Sequence, residues 1–297
     1  MAAGGGDVVK GQFHGAAEAR SGQVVFAPYD KAGIGILSFP GGGSLTAFDA
    51  AVRTFDGARH AAFKGASVAD NGLVIFAPHM AEVVGIFDAA ASRFSSVDIG
   101  ATISLDAKFF GAATASNGLV VFAPHKANSV GMFDPSTSGF WLVEICDSNC
   151  ADLGGDAKFA GAAVAGGGGL VVFAPSDADG VGVIDAASGS FKYIDISLTL
   201  DMDSKFVGAA TAASGLVVFA PCDADLVGMY DPVRDSFRSV SIGHRISPST
   251  AGKFHGAVTA HSGLVVFAPH NEASIGVLDL TTSVFSAIDI STTMNAT

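Results

Sequence analysis

The hydrophobic residues of this chain fall in short runs closed by glycine, proline or acidic turn residues, and the runs recur in a fixed order. Phe-Ala-Pro has its Phe at Phe26, Phe76, Phe122, Phe173, Phe219 and Phe267, with spacings of 50, 46, 51, 46 and 48 residues. A Phe-x-Gly step begins at Phe13, Phe63, Phe109, Phe159, Phe206 and Phe254, always 13 or 14 residues earlier. A third marker, an apolar run through a Gly to a closing Asp, ends at Asp88, Asp134, Asp185, Asp231 and Asp279. Self-similarity at a period near 48 is the signature of a repeat architecture. No segment of useful length shows helical periodicity.

Each unit reads as four short strands. In the third unit a strand over Phe109 to Ala115 precedes Ser116-Asn117-Gly118, a hairpin turn in which Asn and Gly accept positive φ cheaply. Leu119 to Ala123 is unbroken and rich in β-branched residues, so both of its faces are expected to be buried. Pro124 ends it, having no N–H for the ladder. Strands over Ser129 to Phe133 and Phe140 to Ile145 follow, with Asp134 expected to cap the turn between them. Four antiparallel strands, six times over, predict an all-β, six-bladed β-propeller. Gly111-Ala112-Ala113, Gly161-Ala162-Ala163 and Gly208-Ala209-Ala210 suit innermost strands, where little side-chain volume fits. The propeller spans 10–291, with blades at 10–60, 61–106, 107–156, 157–203, 204–251 and 252–291, and with short tails at 1–9 and 292–297. In the first unit Phe39 to Ser44 forms an extended turn, and the fourth strand lies either around Leu45 to Phe48 or nearer Phe55. Asp7 to Lys10 could help close the ring, or closure rests on packing alone.

Composition narrows the function classes. With 297 residues, 16 Lys+Arg against 28 Asp+Glu and a net charge of −12, the chain lacks the cationic surface that a nucleic-acid binder needs. The longest low-polarity stretch, Gly161 to Pro175, has 15 residues, short of the ~20 of a membrane span. No secretory signal is read at the start, and with a lone thiol at Cys222 the expectation is a soluble intracellular protein.

Asn117-Gly118-Leu119-Val120-Val121-Phe122-Ala123-Pro124, followed by Ala127-Asn128-Ser129-Val130-Gly131-Met132, resembles the repeats of streptogramin-lyase-like and related propellers. The resemblance covers all six units and implies the propeller fold. Phe-Ala-Pro stands where that family's repeats usually run Trp-Phe-Thr-Glu, and six units stand where the lyases usually have seven. No catalytic residue is therefore carried over.

The six copies serve as their own control. Positions shared by all units serve folding, whereas positions that vary at a shared place can carry function. The residue after Phe-Ala-Pro is Tyr29, His79, His125, Ser176, Cys222 or His270, a polar or donor side chain every time. The residue inside Phe-x-Gly is His14, Lys64, Phe110, Ala160, Val207 or His255. In a four-stranded meander both sets lie on one face, at the channel mouth, with Asp177, Asp179, Asp223 and Asp225 opposite the histidines. Candidate ligand-binding residues are Tyr29, His79, His125, Ser176, Cys222, His270, His14, His255, Asp177 and Asp223. Ring positions ~8–15 Å apart cannot all reach one ion, but His79, His125, His255 and His270 are candidate ligands for a divalent metal, the one cofactor the pattern admits.

Two functions stay open. One is a non-enzymatic binding or scaffold protein that takes a protein partner or a small ligand on this face, with low surface charge that would suit a subunit of a larger assembly. The other is a metal-assisted or His-based hydrolase or lyase at the same mouth. Cys146 and Cys150 form either a local disulfide, a redox pair or two free thiols. Gly166 to Gly169 lacks the strand-loop-helix context of a phosphate loop and reads as a hairpin turn. Lys108, Lys158, Lys205 and Lys253 are read as latches between blades, with local partners at Asp106, Asp156 and Asp203.

Overall fold

The computed structural model describes residues 12–30, 33–38, 47–53, 61–145, 153 and 155–294, with the backbone alone for 47–53 and 293–294. Six four-stranded antiparallel sheets, each ordered as its strands follow in the chain, form the six blades of a β-propeller. Among the described residues the only α-helix is Ser291–Met294, and none is long and apolar enough to cross a membrane.

The third blade shows why the repeat has its sequence. Its strands are Phe109–Thr114, Val120–Pro124, Ser129–Asp134 and Gly139–Glu144. The second strand is buried throughout, as its unbroken apolar run requires. Phe109 pairs with Pro124 and Ala112 with Phe122, so Phe110 and Gly111 together oppose Ala123. This is a β-bulge, which re-aims side chains near a strand end. In the third strand, a β-carbon on Gly131 would stand 2.9 Å from Phe109 and 3.0 Å from Phe122. The glycine thus leaves a socket for the two Phe rings, whose centroids are 5.8 Å apart. Asp134 caps the following turn, accepting from the Ser136 backbone N–H at 2.8 Å, and Asp88, Asp185, Asp231 and Asp279 do the same in their blades. Gly166 to Gly169 is the expected hairpin turn, with Gly168 N–H bonded to the Ala165 carbonyl.

Blades are latched through buried lysines. Lys108 donates from Nζ to the carbonyls of Ala81 at 2.8 Å and His79 at 3.3 Å on the preceding blade. Lys205 reaches the Ser176 and Asp177 carbonyls, and Lys253 reaches that of Asp223. Asp179 and Asp225 lie beside Lys205 and Lys253 at 3.9 and 3.2 Å. Where the sequence suggests a local partner for Lys158 in Asp156, Asp156 bonds Lys126 instead, and Lys158 donates to the Lys126 carbonyl.

Five apolar seams join the blades. In each, the first-strand Phe of one blade packs against the face of the blade before it: Phe63 on Val25, Ala27 and Ile34, and likewise Phe109, Phe159, Phe206 and Phe254. Among the described residues no such cluster joins blade six to blade one. Phe13 and Phe26 are half-buried where their five counterparts are fully buried, and Val258 is 61% exposed where Ala113, Ala163 and Ala210 are buried. Gly256 meets only Ala268 of its own blade, whereas a β-carbon on Gly208 would lie 2.6 Å from the Cα of Gly256. The fourth strand of blade one runs Ala47–Arg53, between the two placements the sequence allows. Phe39 to Ser44, Asp7 to Lys10, and Cys146 and Cys150 lie outside the described residues.

Candidate functional site

The bulged residues and the loops after Phe-Ala-Pro meet at one end of the axis. A cavity of ≈ 480 Å³ runs into the channel from there, lined by His14, Phe110, Ala160, Val207 and His255 and, deeper, by the glycines and alanines of the first strands. It also reaches along Val266, Ala268 and Ile275 of blade six.

The histidines form two groups. On blades one to three, Phe110 is the hub: His14, His125 and His79 lie 4.9, 5.4 and 6.2 Å from its centroid. His79 and His125 are 5.5 Å apart, closer than ring spacing alone suggests, because both side chains lean inward from their loops. His79 Nδ1 donates to the Phe109 carbonyl at 2.8 Å, and His125 Nδ1 to the Phe159 carbonyl at 3.1 Å. Each bond crosses to the next blade and fixes the proton on Nδ1, leaving Nε2 as a lone pair in the neutral ring. These histidines therefore brace seams as well as facing the mouth.

On blades five and six, His255 stacks on His270 at 3.7 Å with planes 7° from parallel, and Cys222 Sγ lies 3.5 Å from His255 Nε2. Burial, reinforced by Asp223, pushes the Cys222 thiol up to about 12, so it stays protonated and is no nucleophile. Stacked rings hold their lone pairs in parallel planes and cannot converge on one ion. Among the described residues no three His, Cys, Asp or Glu groups come together as a metal site.

Tyr29 and Ser176 complete the ring. Tyr29 is 5.7 Å from His14. Ser176 is buried, its hydroxyl 3.5 Å from Asp177. The carboxylates expected to oppose the histidines have structural partners: Asp177 accepts from the Ser204 N–H at 2.9 Å and Asp223 from the Gly252 N–H at 2.6 Å, both across seams.

The residue that the sequence alone does not single out is Lys64. Its ammonium lies 4.6 Å from the Phe110 centroid and 5.3 Å from that of Tyr29, so it sits among side chains of blades one, two and three. Burial lowers its pKa. Burial, then the Lys64 charge, holds His14 near 4 and His79 near 3, and burial with the same charge holds His125 near 4. His255 falls to about 4 through burial and the charge of His270. At neutral pH His14, His79, His125 and His255 are thus neutral imidazoles near the Lys64 cation. Lys64 occupies the same variable position as His14 and His255, and that was the available signal. What makes it a site residue is the meeting of three blades.

No family model and no curated protein matches this chain. Solved structures do. A virginiamycin B lyase from Staphylococcus aureus aligns with a TM-score of 0.73 at 13% identity, over 94% of this chain and 84% of its own. A streptogramin B lyase aligns at 0.72 and 13%, over 95% and 85%. The WD40 repeats of RRP9 align at 0.68 and 12%, over 94% and 80%. At such identities the likeness is one of fold, shared by lyases and WD40 proteins alike. The repeat-level resemblance to streptogramin lyases extends to the whole architecture.

Proposed function

We propose that this chain is a non-enzymatic binding propeller whose ligand enters the channel mouth ringed by the loops after Phe-Ala-Pro. The observation that carries this reading is the cavity itself: ≈ 480 Å³, apolar along its wall, with His14 and His255 as its polar side chains and Lys64 against the lining residue Phe110. Small-molecule sites are concave, mostly apolar and have a few placed polar groups, in cavities of roughly 300–1,000 Å³.

The rival reading, a His-based hydrolase or lyase, has one observation in its favour. His79 and His125 each present an Nε2 lone pair in a fixed tautomer, as a general base must. Magnitude favours the binding reading. A base works best with a pKa near the working pH, and these imidazoles, near 3 and 4, take a proton only weakly at pH 7. A metal-assisted version would draw its ligands from His79 and His125, since His255 and His270 are stacked.

The test is an NMR fragment screen that follows the histidine side-chain resonances. Hits that shift His14, His79, His125 and His255 together, and are lost in His125→Ala, support a ligand site at the mouth. Multiple-turnover hydrolysis or elimination of any hit, abolished by His79→Ala, would replace binding with catalysis.

A further inference from the structure

We propose that the mouth selects a small organic monoacid, with its carboxylate paired to Lys64 and its apolar body in the Gly/Ala-lined channel. This deepens the ligand-binding reading above and rests on it.

The first support is the contrast between half-buried Lys64 and the fully buried ammonium groups of the chain. Lys108, Lys205 and Lys253 each donate to one or two carbonyls across a seam, and Asp179 and Asp225 stand beside the last two. Among the described residues the Lys64 ammonium lies against the ring faces of Phe110 and Tyr29 and makes no hydrogen bond or ion pair. Ring faces are weaker partners for a half-buried ammonium than the oxygens that hold the other lysines. A bound anion would supply the partner that Lys64 lacks among the described residues.

The second support is that the carboxylates near the mouth among the described residues are engaged. Asp30, Asp177 and Asp223 accept from the backbone N–H groups of Ala61, Ser204 and Gly252. His79 and His125, neutral and with Nδ1 committed to carbonyls, offer lone pairs and no negative charge. Those same lone pairs, together with a single cation, argue against a phosphoryl dianion, which would need several donors. A carboxylate needs one strong donor, and a hydroxyl or N–H elsewhere on the acid could donate to an Nε2. In a protein of net charge −12, a cation held inside the throat is a local reversal of sign that steers an acid to this place.

The experiment uses three acid and amide pairs, acetate with acetamide, phenylacetate with phenylacetamide and cinnamate with cinnamamide, measured by calorimetry and by histidine NMR shifts. At least one acid is expected to bind tenfold or more tighter than its amide, shifting His14, His79 and His125. In Lys64→Met that preference should vanish while the amide still binds. Acid and amide binding equally, or an undiminished preference in Lys64→Met, would overturn the assignment and leave the mouth as a site for neutral ligands. No shift at the mouth with any of the six compounds would remove the ligand-site reading itself. The wild-type comparison of acid with amide stands even if Lys64→Met does not fold.

Discussion

Gly111 and Gly161, on neighbouring blades, approach so closely that a β-carbon on the first would lie 2.9 Å from the Cα of the second. Gly111 also holds φ at +106°, a conformation side chains rarely adopt. Two independent requirements meet at the residue that lets six inner strands crowd one axis.

Gly111→Ala should therefore destabilise by about 3 kcal/mol or more, adding a backbone clash to the ~1–3 kcal/mol of a strained φ. Denaturant unfolding measures it. A loss under about 1 kcal/mol would mean that the inner strands relax apart and that the crowding is not what fixes glycine there.

The seams make unequal demands on equivalent residues. Phe109 is fully buried between two blades, whereas Phe13, at the same repeat position, is half-buried. Phe109→Ala should cost about 3–5 kcal/mol, and Phe13→Ala roughly half of that. Equal losses in thermal unfolding would show that a sixth seam forms in solution.

His125 and Phe122 separate site from core within one blade. Phe122→Ala should cost about 3–5 kcal/mol. His125→Ala loses one cross-seam hydrogen bond, to the Phe159 carbonyl, and should cost about 1–2 kcal/mol. The sequence alone suggests less than about 1 kcal/mol for a loop residue, so unfolding free energies distinguish a bracing histidine from a decorative one. Equality with Phe122→Ala would make the histidine ring wholly structural.

Stability should fall with acid in a defined window. His14, His79, His125 and His255 have folded pKa values near 4, 3, 4 and 4 against 6.5 in the unfolded chain. The unfolded chain then binds more protons, so their contribution is complete above pH 6.5 and is lost as pH falls toward 4. Each such imidazole removes up to about 1.4 kcal/mol per pH unit within that window. The turn carboxylates Asp134, Asp185, Asp231 and Asp279 are held below 3.8 by hydrogen bonds from their own turns, so their contribution is lost only at lower pH. Calorimetric scans from pH 7 to 4.5 should show a falling Tm in wild type and a shallower fall in a His79→Asn, His125→Asn double variant. A flat Tm across that range would mean that the imidazoles are solvated.

Repetition is what made the fold legible. Phe109, Gly111, Phe122, Gly131 and Asp134 each do a local job, as seam filler, close approach, core, socket or cap, and a local job repeated from blade to blade leaves a periodic mark. The strands and turns of the third blade could be read for that reason, and so could the gathering of His14, His79, His125, His255 and His270 at one end, since strand order alone sets which loops share a face. Tertiary structure decided whatever depends on the sum of blades. No single unit encodes whether blade six meets blade one, because that seam is the one contact the repeat does not make with its neighbour in sequence. No unit shows that Lys64 lies against Tyr29 and Phe110, since the three residues come from three blades and meet only where the bulges turn inward. The stacking of His255 on His270, which takes both away from a shared ion, is likewise a matter of side-chain direction, and residue type and spacing leave that direction free.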